Sequence, residues 1–238
     1  VIPLLVAVAA AEEPLPGLPP REDDIQDFRP GNVDLKAKFA FDAVGPSPLS
    51  LASAFGGWNE LTVGAEVGVF EIEDVTFGVG GELYVARPWM FELLSELFVN
   101  VLSDDLTLDW SATEWGALGR GAVHYNGLDT FEFYGLFLFG PNHYAFRLEL
   151  EDADGNTLSG AHRSAGLRIG AGGGFSTAVG DGWLFGAEGR YLVSPRFKAA
   201  TSVELTDASG ATVEVFDTVL YQRGPKGFSW VLWFGRRF

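Results

Sequence analysis

The sequence predicts an all-β chain: a transmembrane, antiparallel, up-and-down β-barrel of eight strands with long extracellular hairpins. Three observations predict it. From Val33 onward, apolar and polar residues alternate with the period of two that marks strands. Turn signals are spaced so that two hairpins have arms of more than twenty residues, whereas a membrane strand needs only about 9–11. The polar faces are rich in glycine, which weakens a water-facing strand but suits a narrow interior.

The elements follow in order. Residues 1–11 read as the tail of a secretory signal peptide, an apolar core followed by small residues. Residues 12–32 are acidic and proline-rich and read as a flexible linker, because such a composition cannot bury a core. Residues 33–238 read as the barrel. Val33 to Ala43 forms the first strand, with Leu35, Ala37, Phe39 and Phe41 on one face and Asp34, Lys36 and Lys38 on the other. A second strand runs from about Glu60 to Ile72 and a third from Val75 to Arg87, joined by an acidic turn. A fourth ends at Tyr125, where Asn126-Gly127 gives a hairpin signal. The fifth opens at Phe131, the sixth ends near Ala178, and the seventh carries Trp183, Phe185, Ala187, Tyr191 and Val193. The eighth is the C-terminal segment, with Phe228, Trp230, Leu232, Phe234 and Phe238 on one face.

The turns at Asp152–Asn156 and Asp207–Gly210 lie midway along two long hairpins. Short turns at one end and long excursions at the other are the arrangement of an outer-membrane barrel. A ten-stranded alternative requires Leu97–Leu102 and Leu106–Trp110 to pair as an extra hairpin. The spacing of Phe91, Leu94, Leu97 and Phe98 fits instead a short extracellular helix over Trp89 to Leu102.

Polar-face parity also gathers charges. Lys38, Glu66, Glu82, Arg120, Glu188 and Arg190 lie at similar depth from the short-turn end. Three acids with three bases would make a paired layer that plugs the lumen; unpaired, each would be costly to bury. Tyr125, Phe131, Trp183 and Phe238, with Trp115, Phe139 and Tyr191 farther up, have outward parity and match two interfacial girdles.

Composition sets outer bounds. The chain has 238 residues, a net charge of −16 and no cysteine. Nucleic acid is excluded as a partner, since phosphate binding needs a basic surface. Disulfides and thiolate metal sites are excluded, and no cofactor is expected.

With these residues in hand, the chain resembles the small bacterial outer-membrane barrels of the OmpA and OmpW type. The likeness rests on the C-terminal strand with Trp230, Leu232, Phe234 and Phe238, which is similar to the assembly signal of such barrels. It rests also on the glycine-rich stretch Gly166–Val193 and on Gly81–Pro88. The resemblance implies outer-membrane location, contact with outer-membrane lipid and lipopolysaccharide, and handling by the barrel-assembly machinery. In OmpW-like members it also implies passage of small hydrophobic solutes. The expected role is structural, interactive or narrowly permeating, without enzymatic chemistry.

Two alternatives stand beside it. His162-Arg163-Ser164 resembles the His-x-Ser of outer-membrane lipid A deacylases, which would make a lipid A-modifying enzyme. However, that family's Asn is Ala165 here, no orienting carboxylate is in place, and both residues have lumen parity. The other is a soluble calycin-like barrel with an apolar ligand inside. Asp152, Asp154 and Asn156 begin a calcium-loop pattern that fails at its twelfth position, Arg163. His124 and His143 look isolated.

Overall fold

The computed structural model describes residues 27–43, 58–102, 105–128, 130–180, 182–194, 197–223 and 226–238. The signal-peptide reading and most of the linker reading lie outside them. Strands β1 (Val33–Ala43), β2 (Asn59–Ile72), β3 (Val75–Arg87), β4 (Leu106–Tyr125), β5 (Glu132–Asp152), β6 (Thr157–Gly180), β7 (Trp183–Val193) and β10 (Lys226–Arg237) pair in antiparallel sequence. The ring closes because β10 pairs with β7 on one side and with β1 on the other. Phe238 and Val33 exchange backbone hydrogen bonds of 3.0 and 3.1 Å at the seam.

Closure removes every unpaired edge from the ring, the condition for crossing lipid with strands. Alternation then sorts the side chains, but with the polarity reversed. Leu83 is 61% exposed, Val63 60% and Phe137 55%, while Lys38, Glu82 and Arg120 of the same ring are at most 4% exposed. A soluble domain would leave far less contiguous apolar surface.

Several expectations need correction. The ring has the eight strands expected of it; what departs from expectation stands beyond it, since the whole sheet has ten. The long hairpin between β7 and β10 is broken into two further strands, β8 (Phe197–Thr206) and β9 (Thr212–Arg223). These stand beyond the ring, where β8 pairs with β6 between Thr157 and Ser159. The proposed extra hairpin does not form: Trp89–Leu102 is a helix, α1, and Leu106–Trp110 begins β4. Asn126-Gly127 is not a two-residue turn, since β4 ends at Tyr125 and β5 starts at Glu132. The Asn126 side chain instead donates to the Phe28 carbonyl at 2.8 Å and to Thr76 Oγ1 at 3.0 Å.

Residues 27–32, the last part of the stretch read as a linker, pack on the barrel. Pro30 bridges to Gly68 of β2, the Gly31 N–H donates to the Gly68 carbonyl, and the Gly68 N–H donates to the Asn32 carbonyl. A β-carbon at Gly68 would overlap the Arg29 carbonyl, so this close approach needs glycine.

The two hairpin tips share one design. Asp152 accepts the N–H groups of Asp154 and Asn156, and Asp207 accepts those of Ser209 and Ala211. Gly155 and Gly210 supply the left-handed residue, at φ of 81° and 83°. The Asn156 side-chain amide and the Ser209 hydroxyl also donate to Asp152 and Asp207, and with these backbone bonds they hold both carboxyl groups below their ordinary pKa. The Asp152 carboxylate therefore fastens the turn, and the described residues contain no metal-ligating cluster.

Candidate functional site: the barrel lumen

The inward faces of all eight ring strands meet in one ionic ladder. At the short-turn end, Arg237 grips Asp34 with two bonds of 2.7 and 2.9 Å and reaches Glu132 at 2.9 Å. His124 stands between Glu132 and Glu66, 2.6 Å from each. Ionised carboxylates only accept, so with both ionised each imidazole nitrogen donates. Lys36 Nζ meets Glu66 at 2.9 Å.

Arg120 ties this tier to the next. Its Nε lies 2.9 Å from Glu66, and its Nη1 lies 3.1 Å from both Glu82 and Glu188. Lys38 Nζ bridges the same two glutamates at 2.6 and 2.9 Å. Arg190 pairs with Glu188 on its own strand and with Glu82 across the lumen at 3.1 Å. A third tier follows, with Arg168 against Glu60 at 2.7 Å and Glu114 at 3.6 Å. Tyr84 and Asn142 donate to Glu114.

Charge balance explains why so many ions share so small a space. The buried lumen carboxylates are Asp34, Glu60, Glu66, Glu82, Glu114, Glu132 and Glu188. Facing them are Lys36, Lys38, Arg120, Arg168, Arg190 and Arg237, with His124 as the remaining basic partner. Buried ions are tolerated when each is paired and hydrogen-bonded, as here. Leu118, Leu136, Leu138, Leu184 and Leu192 fill the rest together with aromatic rings: Trp233 Nε1 donates to Tyr134 Oη at 2.8 Å, and Tyr134 donates to Glu188 at 3.0 Å. Lumen glycines make room for these rings. A β-carbon at Gly186 would overlap the Trp233 indole, and one at Gly174 would crowd the Tyr134 hydroxyl.

Both ends of the ladder are covered. Below it, Phe28 is fully buried, with its ring 4.3 Å from that of His124 and 5.0 Å from the Arg237 guanidinium. Above it, Trp58, Ala86, Trp110, Ala112, Tyr144 and Phe146 form a buried apolar cluster inside the hairpin extension.

The structure thus places all six residues of the expected layer inside the ring and links them in one network. Glu66 sits a tier lower than the other five and joins them through Arg120. Sequence reading passed over Asp34, Lys36, Glu60, Glu114, Glu132, Arg168 and Arg237 as members, although parity alone marks each as inward. His124 is not isolated, since its partners come from β2 and β5. His143 stacks on Trp115 at 4.3 Å. Trp230, Leu232, Phe234 and Phe238 point outward on the closing strand. His162 and Ser164 are half-buried and share one side of β6, opposite the exposed Arg163 and Ala165. A calycin-like reading needs an open apolar cavity, and the interior found is filled by ion pairs and by the side chains packed around Leu138 and Trp233.

The chain is a closed antiparallel barrel with the polarity of a membrane protein, apolar outside and ionic within. No family model matches it, and no curated protein matches it. Similar solved structures include a major outer membrane protein from Thermus thermophilus, at 13% identity and a TM-score of 0.49 over 87% of this chain and 99% of that one. Ail, the attachment invasion locus protein of Yersinia pestis, gives 15% identity and a TM-score of 0.43 over 88% and 99%. The N-terminal β-barrel domain of Pseudomonas aeruginosa OprF gives 12% and 0.37 over 88% and 98%. Likeness at this level assigns neither activity nor partner to the chain; the barrel rests on its own strand pairing.

Proposed function

We propose that the protein is an integral barrel of a bacterial outer membrane that does not conduct at rest, with the β4–β5–β6–β8–β9 extension displayed outside for structural or interactive work. The observation that carries this reading is the inversion of the ring: lipid-compatible side chains outside, and a paired ionic ladder inside. The Phe28 segment closes the short-turn mouth, which faces the periplasm in this reading, and the aromatic cluster closes the other. The outward rings of Tyr125, Phe131, Trp183 and Phe238 mark one lipid interface, and those of Trp115, Phe139 and Tyr191 the other. Between Val75 and Val85 the wall rises by ten residues, about 25 Å for a strand tilted by about 40°. That matches the apolar band of a membrane barrel. β10, with its outward Trp230, Leu232, Phe234 and Phe238, is the strand offered to the barrel-assembly machinery, and the upper girdle meets lipopolysaccharide.

Purified protein in planar bilayers tests the closed lumen. The reading expects no steady current from the parent and brief openings once Glu82→Gln or Arg120→Met loosens the ladder. A large ohmic conductance in the parent contradicts it.

A further inference from the structure

We propose that α1 is an interfacial anchor, with its Leu93, Leu94, Leu97, Phe98 and Val101 face sunk among lipid acyl chains at the upper rim of the barrel. The proposal rests on the membrane reading above and extends it to an element outside the ring.

The helix starts where β3 must stop. Pro88 follows Arg87, and the Pro88 carbonyl accepts the Glu92 N–H at 2.9 Å. Five large apolar residues then fall at 93, 94, 97, 98 and 101, a single face at 3.6 residues per turn. A helix on a water-soluble protein turns such a face inward. α1 does the reverse. Its docked side carries the half-buried Val99 but is held by polar contacts: Glu92 Oε1 accepts the Ala112 N–H at 2.8 Å, Glu92 Oε2 pairs with Arg87 at 3.0 Å, and Ser95 Oγ accepts from Trp110 Nε1 at 2.6 Å. Burial at this docking site pushes the Glu92 pKa up. The apolar side faces away from the barrel, with Leu97 55% and Val101 66% exposed. The helix thus shows the same inversion as the strands, as expected if both meet one solvent.

Its height agrees. Val85 is the register partner of Trp115, whose ring belongs to the upper girdle. α1 begins four residues beyond Val85 and touches β4 at Ala112 and Trp110, just above Trp115. The apolar surface of the helix therefore continues the lipid-facing belt at its upper margin. Fourteen residues are too few to span a bilayer but enough to lie in its interface. The helix carries acidic residues and no basic ones, so its attachment is to acyl chains and not to anionic headgroups.

The chain has no cysteine, so single labels need no background changes. A polarity-insensitive fluorophore is attached at Leu97→Cys, and separately at Val101→Cys, with Phe137→Cys as the belt control and Asp154→Cys as the water control. Each protein is checked for heat-modifiable migration, then placed in phosphatidylcholine vesicles brominated near the top of the acyl chain. The proposal expects bromine to quench Leu97 and Val101 to an extent comparable with Phe137, with Asp154 unaffected. Quenching at Phe137 but at neither helix position overturns it and leaves the barrel reading intact. Aqueous iodide then tells the cause: a helix face in water is quenched by it, and one covered by protein, from this chain or a second copy, is not. Absence of quenching at Phe137 as well overturns both readings.

Discussion

Replacing Arg120 with methionine keeps most of the side-chain volume and removes one charge from the centre of the ladder. Arg120 touches Glu66, Glu82 and Glu188 at 2.9–3.1 Å from a buried position. Breaking a buried ion pair costs about 3–5 kcal/mol, because the abandoned charge stays buried. The abandoned carboxylates are not alone here. Glu66 keeps Lys36 and His124, while Glu82 and Glu188 keep Lys38 and Arg190. The loss should therefore fall near the lower bound, about 3 kcal/mol. Neutralising Glu188 to glutamine in the Arg120→Met background relieves part of the imbalance, with a coupling of about 0.5–3 kcal/mol for groups in one network. Urea unfolding of the barrel in lipid vesicles, followed by tryptophan emission, measures all four corners of the cycle. If both single variants stay within about 0.5 kcal/mol of the parent and the coupling vanishes, the charges behave as solvated surface groups. The account of the lumen would then be wrong.

Three further outcomes follow from the same structure. Phe28→Ala removes the ring wedged between His124 and Arg237, so the short-turn mouth should open: hydrogen exchange at the Gly68 amide quickens and current fluctuations appear, whereas unchanged exchange contradicts the docking of residues 27–32. Gly186→Val drives a side chain into the Trp233 indole and should destabilise the barrel by about 1–3 kcal/mol, with partial recovery when Trp233→Leu is added. At the hairpin tip, bonds from the Asn156 side chain and backbone, and then from the Asp154 backbone, depress the Asp152 pKa. The turn is thus fully fastened above the ordinary aspartate pKa and released as pH falls through the lowered one. Amide exchange at Asn156 should rise only at the acid end of a pH series, and a rise centred on neutral pH would contradict the assignment.

Much of the ring could be read from the chain because parity is a local property. The bounds of β1 and β3 are those the alternation gives, and each inward charge is marked by its neighbours two residues away. Depth was harder. Glu60, Glu114 and Arg168 share a tier only because the registers through β3 and β5 set the heights of β2, β4 and β6, and a count from the nearest turn does not supply register. Phe28 gave no periodic signal, as the one aromatic residue in an acidic, proline-rich stretch whose contacts lie on β2 and β4 and at the C-terminus. His124 looked isolated for the same reason: Glu66 is 58 residues away in sequence. The break of the last long hairpin had a local cue. The sequence between β7 and β8 holds Pro195 and that between β9 and β10 holds Pro225, and proline cannot donate to a ladder. For α1, spacing identified the helix, but the polar docking of Glu92 and Ser95 depends on where β4 runs.

The direction in which the ring faces its solvent is the claim on which the rest depends, and nitroxide accessibility measures it directly. Labels at Phe133 and Leu232, both exposed on the outer wall, are compared in lipid vesicles with one at Thr62, which points inward. The account predicts frequent collisions with dissolved oxygen and few with a water-soluble nickel chelate at the first two sites, and almost none with either at Thr62. Strong collisions with the nickel chelate at Phe133 and Leu232, or immobilised labels shielded from both reagents there, would contradict it.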